Sequence, residues 1–174
     1  MADFERAIPI ILRWEGGFVN HPNDPGGATN RGIILTLFKR YAAELGLSAD
    51  VEGLKKLTEE QAKHIYKLQF WDAMRGDEIR DQQVATIIFD GFVNMGGSAL
   101  RIAQRVAGAD ADGVFGPNTI ATLNAAAGRV FFDTYKDQRI IYYQELAVRK
   151  PKLQVFLKGW LNRINSFQYE THHI

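Results

Sequence analysis

Apolar residues recur along most of this chain at the spacing of a helix. Phe4, Ala7, Ile8, Ile11 and Leu12 follow an i, i+3, i+4 order and predict a first helix with one buried stripe. Asp3 is placed to cap its start and Gly16 to end it, while Pro9 is expected to bend it or shift its start. Phe18 to Gly32 is dense in Asn, Pro, Gly and Asp and reads as an ordered loop or short hairpin. Leu35, Phe38, Tyr41, Ala42 and Leu45 mark a second helix closed by Gly46. Thr58 with Gln61 forms a capping-box pattern for a third, which carries Ala62, Ile65, Tyr66 and Gln69. Val84, Ile87, Ile88, Gly91 and Met95 form a fourth, apolar enough to be a central buried helix, and Gly96-Gly97 ends it.

Ser98 opens a further helix with Ile102, Ala103 and Val106. Gly108 to Gly116 reads as a loop, and Pro117 suits the first turn of the helix after it. A long helix from about Arg129 to Val148 follows, then Pro151 and a last amphipathic helix with Val155, Trp160, Leu161 and Ile164. The expected fold is mainly α, with few or no short strands, those few lying in the early loop. The best boundary between lobes is Gly96-Gly97-Ser98, dividing residues 1–96 from 97–174. No flexible linker separates them, so packed lobes are expected.

Composition narrows the function classes. The 174 residues are 46% hydrophobic, enough for a core without disulfides or metals. Twenty-one Lys and Arg face 20 Asp and Glu, a formal net charge of +1, and the basic residues are scattered. That is not the footprint of a nucleic-acid binder. The absence of cysteine excludes disulfide scaffolds, thiol catalysis and Cys-based zinc sites. Met1-Ala2-Asp3-Phe4-Glu5-Arg6 carries acids where a signal peptide needs positive charge, so synthesis without a cleavable export signal is expected. No apolar run approaches the roughly 18 residues of a transmembrane helix.

The candidate chemistry lies early. Glu15, in Trp14-Glu15-Gly16-Gly17-Phe18, follows an apolar helix pattern and precedes two glycines. An acid at a helix C-terminus opposes the macrodipole, and that field, with burial beside the Trp14 indole, favours the neutral carboxyl. Gly16 and Gly17 remove bulk, so a polymer can lie close. Nine residues on comes Asp24, and five after that Thr29. Asp24, between Asn23 and Pro25, also fits a turn start, and Thr29 also fits a helix cap. Together, a proton-donating acid, a second carboxylate and a hydroxyl that holds water are the parts needed to hydrolyse a glycosidic bond.

Other groups read differently. Asp110-Ala111-Asp112-Gly113 lacks a third acidic ligand and has Ala121 where a calcium loop needs Glu. His21, His64, His172 and His173 form no i, i+4 pair around a Glu, so neither metal nor cofactor is expected. Tyr66, Phe70 and Trp71 suit a sugar-stacking wall but at this spacing are more often core.

Trp14-Glu15-Gly16-Gly17-Phe18 and the later Asp24-Pro25-Gly26-Gly27-Ala28-Thr29-Asn30-Arg31-Gly32-Ile33 resemble the E-G-G-[YF] and D-x-G-G-x-T-x-x-G-I signature of glycoside hydrolase family 108. The order Glu, Asp, Thr is more loosely similar to the lysozymes of T-even phages. Family 108 members are N-acetylmuramidases, often found in phages and prophages, and the resemblance maps the family's catalytic Glu onto Glu15. It implies a lysozyme-like helical domain. Phe89-Asp90-Gly91-Phe92-Val93-Asn94-Met95-Gly96 resembles a segment of lysozyme-like domains, which makes Asn94 a candidate sugar contact. Ala111-Asp112-Gly113-Val114-Phe115-Gly116-Pro117-Asn118-Thr119 resembles a loop of small peptidoglycan-binding domains.

The resemblance implies a monomeric prophage-type or endolysin-type muramidase, with peptidoglycan glycan strands as partner, reaching the wall by non-standard release. The catalytic set is then Glu15, Asp24 and Thr29, and Trp14, Gly16, Gly17 and Asn94 contact substrate. A lytic transglycosylase using a single Glu, and a non-catalytic wall-binding or secretion-associated protein, are the alternatives.

Overall fold

The computed structural model describes residues 1–20 and 27–170. Nine α-helices and one two-stranded sheet are present among the described residues, so the fold is mainly α. The chain divides into two compact units: Phe4–Asp72, and Met1–Asp3 with Ala73–Ile174.

The first unit is built on α1 (Phe4–Leu12), whose Phe4, Ala7, Ile8 and Ile11 are buried. Pro9, exposed, lies inside this helix without ending it or moving its start. After Leu12 the chain tightens: the amides of Trp14 and Glu15 bond to the carbonyls of Ile11 and Leu12. Glu15 therefore sits just past the helix. β1 (Thr29–Asn30) and β2 (Ile33–Ile34) pair antiparallel, and Val19 bridges to Thr29 on the other side. The two turn residues, Arg31 and Gly32, both have positive φ, 50° and 75°. This is the pattern of a type I′ hairpin, whose twist matches its strands.

α2 (Leu35–Tyr41) is shorter than its pattern, which runs on in turns to Gly46. α3 (Val51–Lys55) was not expected. It spans only five residues, and its start is fixed by Asp50, which accepts from the Gly53 amide at 2.8 Å. α4 (Glu59–Tyr66) has the expected capping box: the Gln61 amide donates to Thr58 Oγ1 at 3.2 Å, and the Thr58 amide donates to Gln61 Oε1 at 3.0 Å. A π-turn, Lys67–Trp71, takes up Gln69, whose Oε1 accepts from the Tyr41 hydroxyl at 3.1 Å. Tyr66 and Trp71 are fully buried, and Phe4 meets Trp71 edge-on at 5.9 Å. They are core, not a sugar wall.

The second unit centres on α5 (Gln82–Met95), buried at every residue from Val84 to Gly91. α6 (Gly97–Ala107) and α8 (Gly128–Arg149) pack on it, with α7 (Pro117–Ala125) against α6 and α9 (Gln154–Asn165) against α8. Gly91 permits the approach, since a Cβ there would meet the Tyr135 hydroxyl and Ala99. Inside this unit Asp90, fully buried, takes two guanidinium groups: Arg139 Nη2 on Oδ2 and Arg163 Nε on Oδ1, both at 2.7 Å. α9 departs from its expected face, because Val155 is 77% exposed. No helix of the described residues is long and apolar enough to cross a membrane.

Candidate active site

Glu15 lines a cleft of about 350 Å³ in the first unit, with Leu12, Gly16, Gly17, Phe18, Asn30, Arg31, Lys55, Leu57 and Glu59. Two elements hold the far wall. Asn30, buried in β1, donates its amide to the Leu54 carbonyl at 2.8 Å, which docks the hairpin on the end of α3. The unexpected α3 therefore supplies the acceptor that positions the turn. Arg31 Nε reaches the Leu57 carbonyl at 3.4 Å, and its guanidinium meets Glu59 at 3.5 Å. Lys55 pairs with Glu52 at 2.6 Å and lies 5.4 Å from the Phe18 ring centroid. These exposed pairs contribute little to stability, and leave cleft cations able to meet a ligand.

The near wall is the Glu15 carboxyl. It is half-buried and packs against the bare Cα of Gly32: a Cβ there would fall on Glu15 Oε2 and on the Tyr66 hydroxyl. The Tyr66 hydroxyl also donates to the Arg31 carbonyl at 3.0 Å. A core tyrosine thus fixes the turn, and the turn bounds the carboxyl. Gly16 and Gly17 are exposed, and a Cβ on either would meet nothing within 4 Å. Backbone packing does not demand glycine at these two places. Their effect is to leave the lip beside Glu15 open.

Residues 8–96 match the model of the family described as glycosyl hydrolase 108. The chain belongs to that family. Residues 98–165 match a second family, described as a predicted peptidoglycan domain. Among solved structures, the chain is similar to Brucella abortus SagA, with 32% identity and a TM-score of 0.80, covering 94% of this chain and 90% of that one. No curated protein matches the chain. The protein is accordingly a glycoside hydrolase, and the two family matches together support a peptidoglycan hydrolase.

The family 108 segment extends past the first unit to include α5, which packs with α6 and α8 in the second. Of the expected site residues, Glu15, Gly16 and Gly17 come together in one cleft. Trp14 is 40% exposed and is not among the described residues lining the cleft, while Gly32 bounds the acid. Thr29 is half-buried in the sheet, exchanging backbone bonds with Val19 at 2.8 Å, and is not among the described residues lining the cleft. Asp24 lies outside the described residues. Asn94 belongs to the second unit, where its amide donates to the Asp90 carbonyl at 2.7 Å.

Sequence reasoning missed the roles of Asn30, Lys55, Leu57 and Glu59 as cleft wall, and of Gly32 and Tyr66 as the frame around Glu15. The signal present was Asn30-Arg31-Gly32-Ile33, a hairpin turn ending in glycine. Tyr66, an apolar-face residue with a hydroxyl that needs a partner, was the second signal.

Proposed function

We propose that the protein is an N-acetylmuramidase, cleaving the β-1,4 bond between N-acetylmuramic acid and N-acetylglucosamine. The observation that carries this reading is the Glu15 carboxyl at the wall of an open-lipped cleft, inside the family 108 segment. Glu15 donates a proton to the glycosidic oxygen as positive charge grows on the sugar ring. Asp24 activates water or offsets that charge, and Thr29 orients the water. Trp14, Gly16, Gly17 and Asn94 contact the glycan.

On this reading residues 1–96 form the catalytic domain and residues 97–174 grip the wall. The protein acts as a monomeric endolysin of prophage type, reaching the wall by non-standard release. The similarity to Brucella abortus SagA supports the fold.

The test is digestion of purified peptidoglycan by the wild type, with mass spectrometry of the fragments. New reducing ends at N-acetylmuramic acid support the reading. Reducing ends at N-acetylglucosamine, or 1,6-anhydro ends, assign the protein to a glucosaminidase or a lytic transglycosylase instead. Wall binding with no reducing ends would leave a non-catalytic binder.

A further inference from the structure

The tip of the α8–α9 hairpin combines two properties that hydrolysis of a glycan does not use. Val148 and Val155 are each 77% exposed and Phe156 is 54% exposed. Between them run Arg149, Lys150 and Lys152, with Lys158 one turn into α9, all exposed. No acid occurs from 146 to 169, so these four cations face only Glu145 nearby in sequence. The chain's net charge is +1; with four positive charges here, the remainder sums to −3 (1 − 4).

Among the described residues none of the four tip cations pairs with a carboxylate, whereas Lys55, Lys63, Lys67, Arg75 and Arg129 each do. Such cations occur elsewhere too, at Lys39, Arg40 and Lys56; what marks the tip is that its four share it with three large exposed apolar side chains. The apolar side is equally ordered. Phe156 lies against Trp160 at 6.0 Å, and Trp160 stacks on Tyr143 at 4.7 Å. The ring is thus propped outward on a firm aromatic base, and Ile141, 44% exposed, lies two turns before Val148 on α8.

We propose that this tip docks on an anionic phospholipid bilayer. Phe156, Val155 and Val148 enter the headgroup region while Arg149, Lys150, Lys152 and Lys158 face lipid phosphates. A soluble polyanion would be satisfied by the cations alone and would leave the apolar trio in water. A bilayer surface uses both, because interfacial binding sums buried apolar area and attraction to anionic lipid. This goes beyond wall hydrolysis, and its test reads no activity.

The full-length protein is sedimented with vesicles of phosphatidylglycerol and phosphatidylethanolamine, and separately with vesicles of phosphatidylcholine. Binding to the first and not the second is expected, weakening as sodium chloride is raised. The double variant Lys150→Gln/Lys152→Gln should partition about 30-fold less strongly. Phe156→Ser should partition about tenfold less strongly, and Val155→Ser, whose side chain is in no ring contact, should also weaken binding. Equal sedimentation with both vesicle types, or with neither, overturns the proposal. So does wild-type partitioning by both Phe156→Ser and Val155→Ser while the lysine variant loses binding, which assigns the tip to a soluble polyanion.

Discussion

Gly32 and Glu15 share a boundary with no room for a methyl group. A Cβ on Gly32 would overlap Glu15 Oε2 and the Tyr66 hydroxyl, and the Gly32 backbone stands at φ +75°. Alanine there costs about 1 kcal/mol in the backbone alone, before the overlap is relieved. Gly32→Ala is expected to fold with reduced stability and to lose about 100-fold in rate, because the carboxyl must move. Thermal melts and release of reducing ends measure the two effects. A variant with normal rate would show that the turn does not set the position of Glu15.

Asp90 should be the most sensitive core position of the second unit. Its carboxylate holds Arg139 and Arg163, and burial around this group also pushes the Tyr135 phenol upward from its ordinary pKa. Asp90→Ala leaves the fully buried Arg139 guanidinium without its counter-charge and removes an acceptor from Arg163, at a cost of about 3–5 kcal/mol. Urea denaturation checks this, and a loss under about 1 kcal/mol would mean that water reaches the cluster.

Gln104 plays the comparable part in the Gly108–Gly116 loop. It is fully buried and its Nε2 donates to Asp112 Oδ1 at 2.7 Å, to the Val114 carbonyl at 3.0 Å and to Thr119 Oγ1 at 3.2 Å. Its Oε1 accepts from the Gly113 amide at 2.8 Å. Gln104→Leu removes all four bonds, so the Gly113 amide should exchange with deuterium much faster while the α5 amides keep their protection. Unchanged exchange at Gly113 would contradict this account of the loop.

Asp112 gives the expected pH dependence. The Val114 amide, then the Gln104 side chain, hold its carboxyl below the usual aspartate range. The folded value is the lower one, so the unfolded chain takes up protons first as the solution is acidified. The carboxylate's contribution is complete above the unfolded value and disappears as pH falls through the folded one. The stability gap between wild type and Asp112→Asn, followed by urea titration, should therefore be widest near neutrality and close in acid. A gap that grows in acid would reverse the sign.

Much of this fold was legible from local chemistry. Thr58 and Gln61 announced their helix because capping is a contact between neighbours in sequence, and Pro117 did so through its fixed φ. What stayed hidden depends on distance. Asp90 meets Arg139 and Arg163 across 49 and 73 residues, and no periodicity records such a meeting. α3 is too short to show a stripe, yet its Leu54 carbonyl anchors Asn30. Val155 fits a buried-face pattern by type but lies at the hairpin tip, where nothing covers it in the described chain. At the candidate site, the open backbone beside Glu15 was legible from Gly16 and Gly17, while the frame of the cleft, Gly32 and Tyr66, comes from 17 and 51 residues later in the chain.

The most direct measurement is the rate at which Glu15→Gln releases reducing ends from purified peptidoglycan, with the variant's fold checked by circular dichroism. Loss of the positioned acid should lower that rate by about 10²–10⁴-fold with the melting profile preserved. A folded Glu15→Gln protein that cleaves the wall at the wild-type rate would contradict the account.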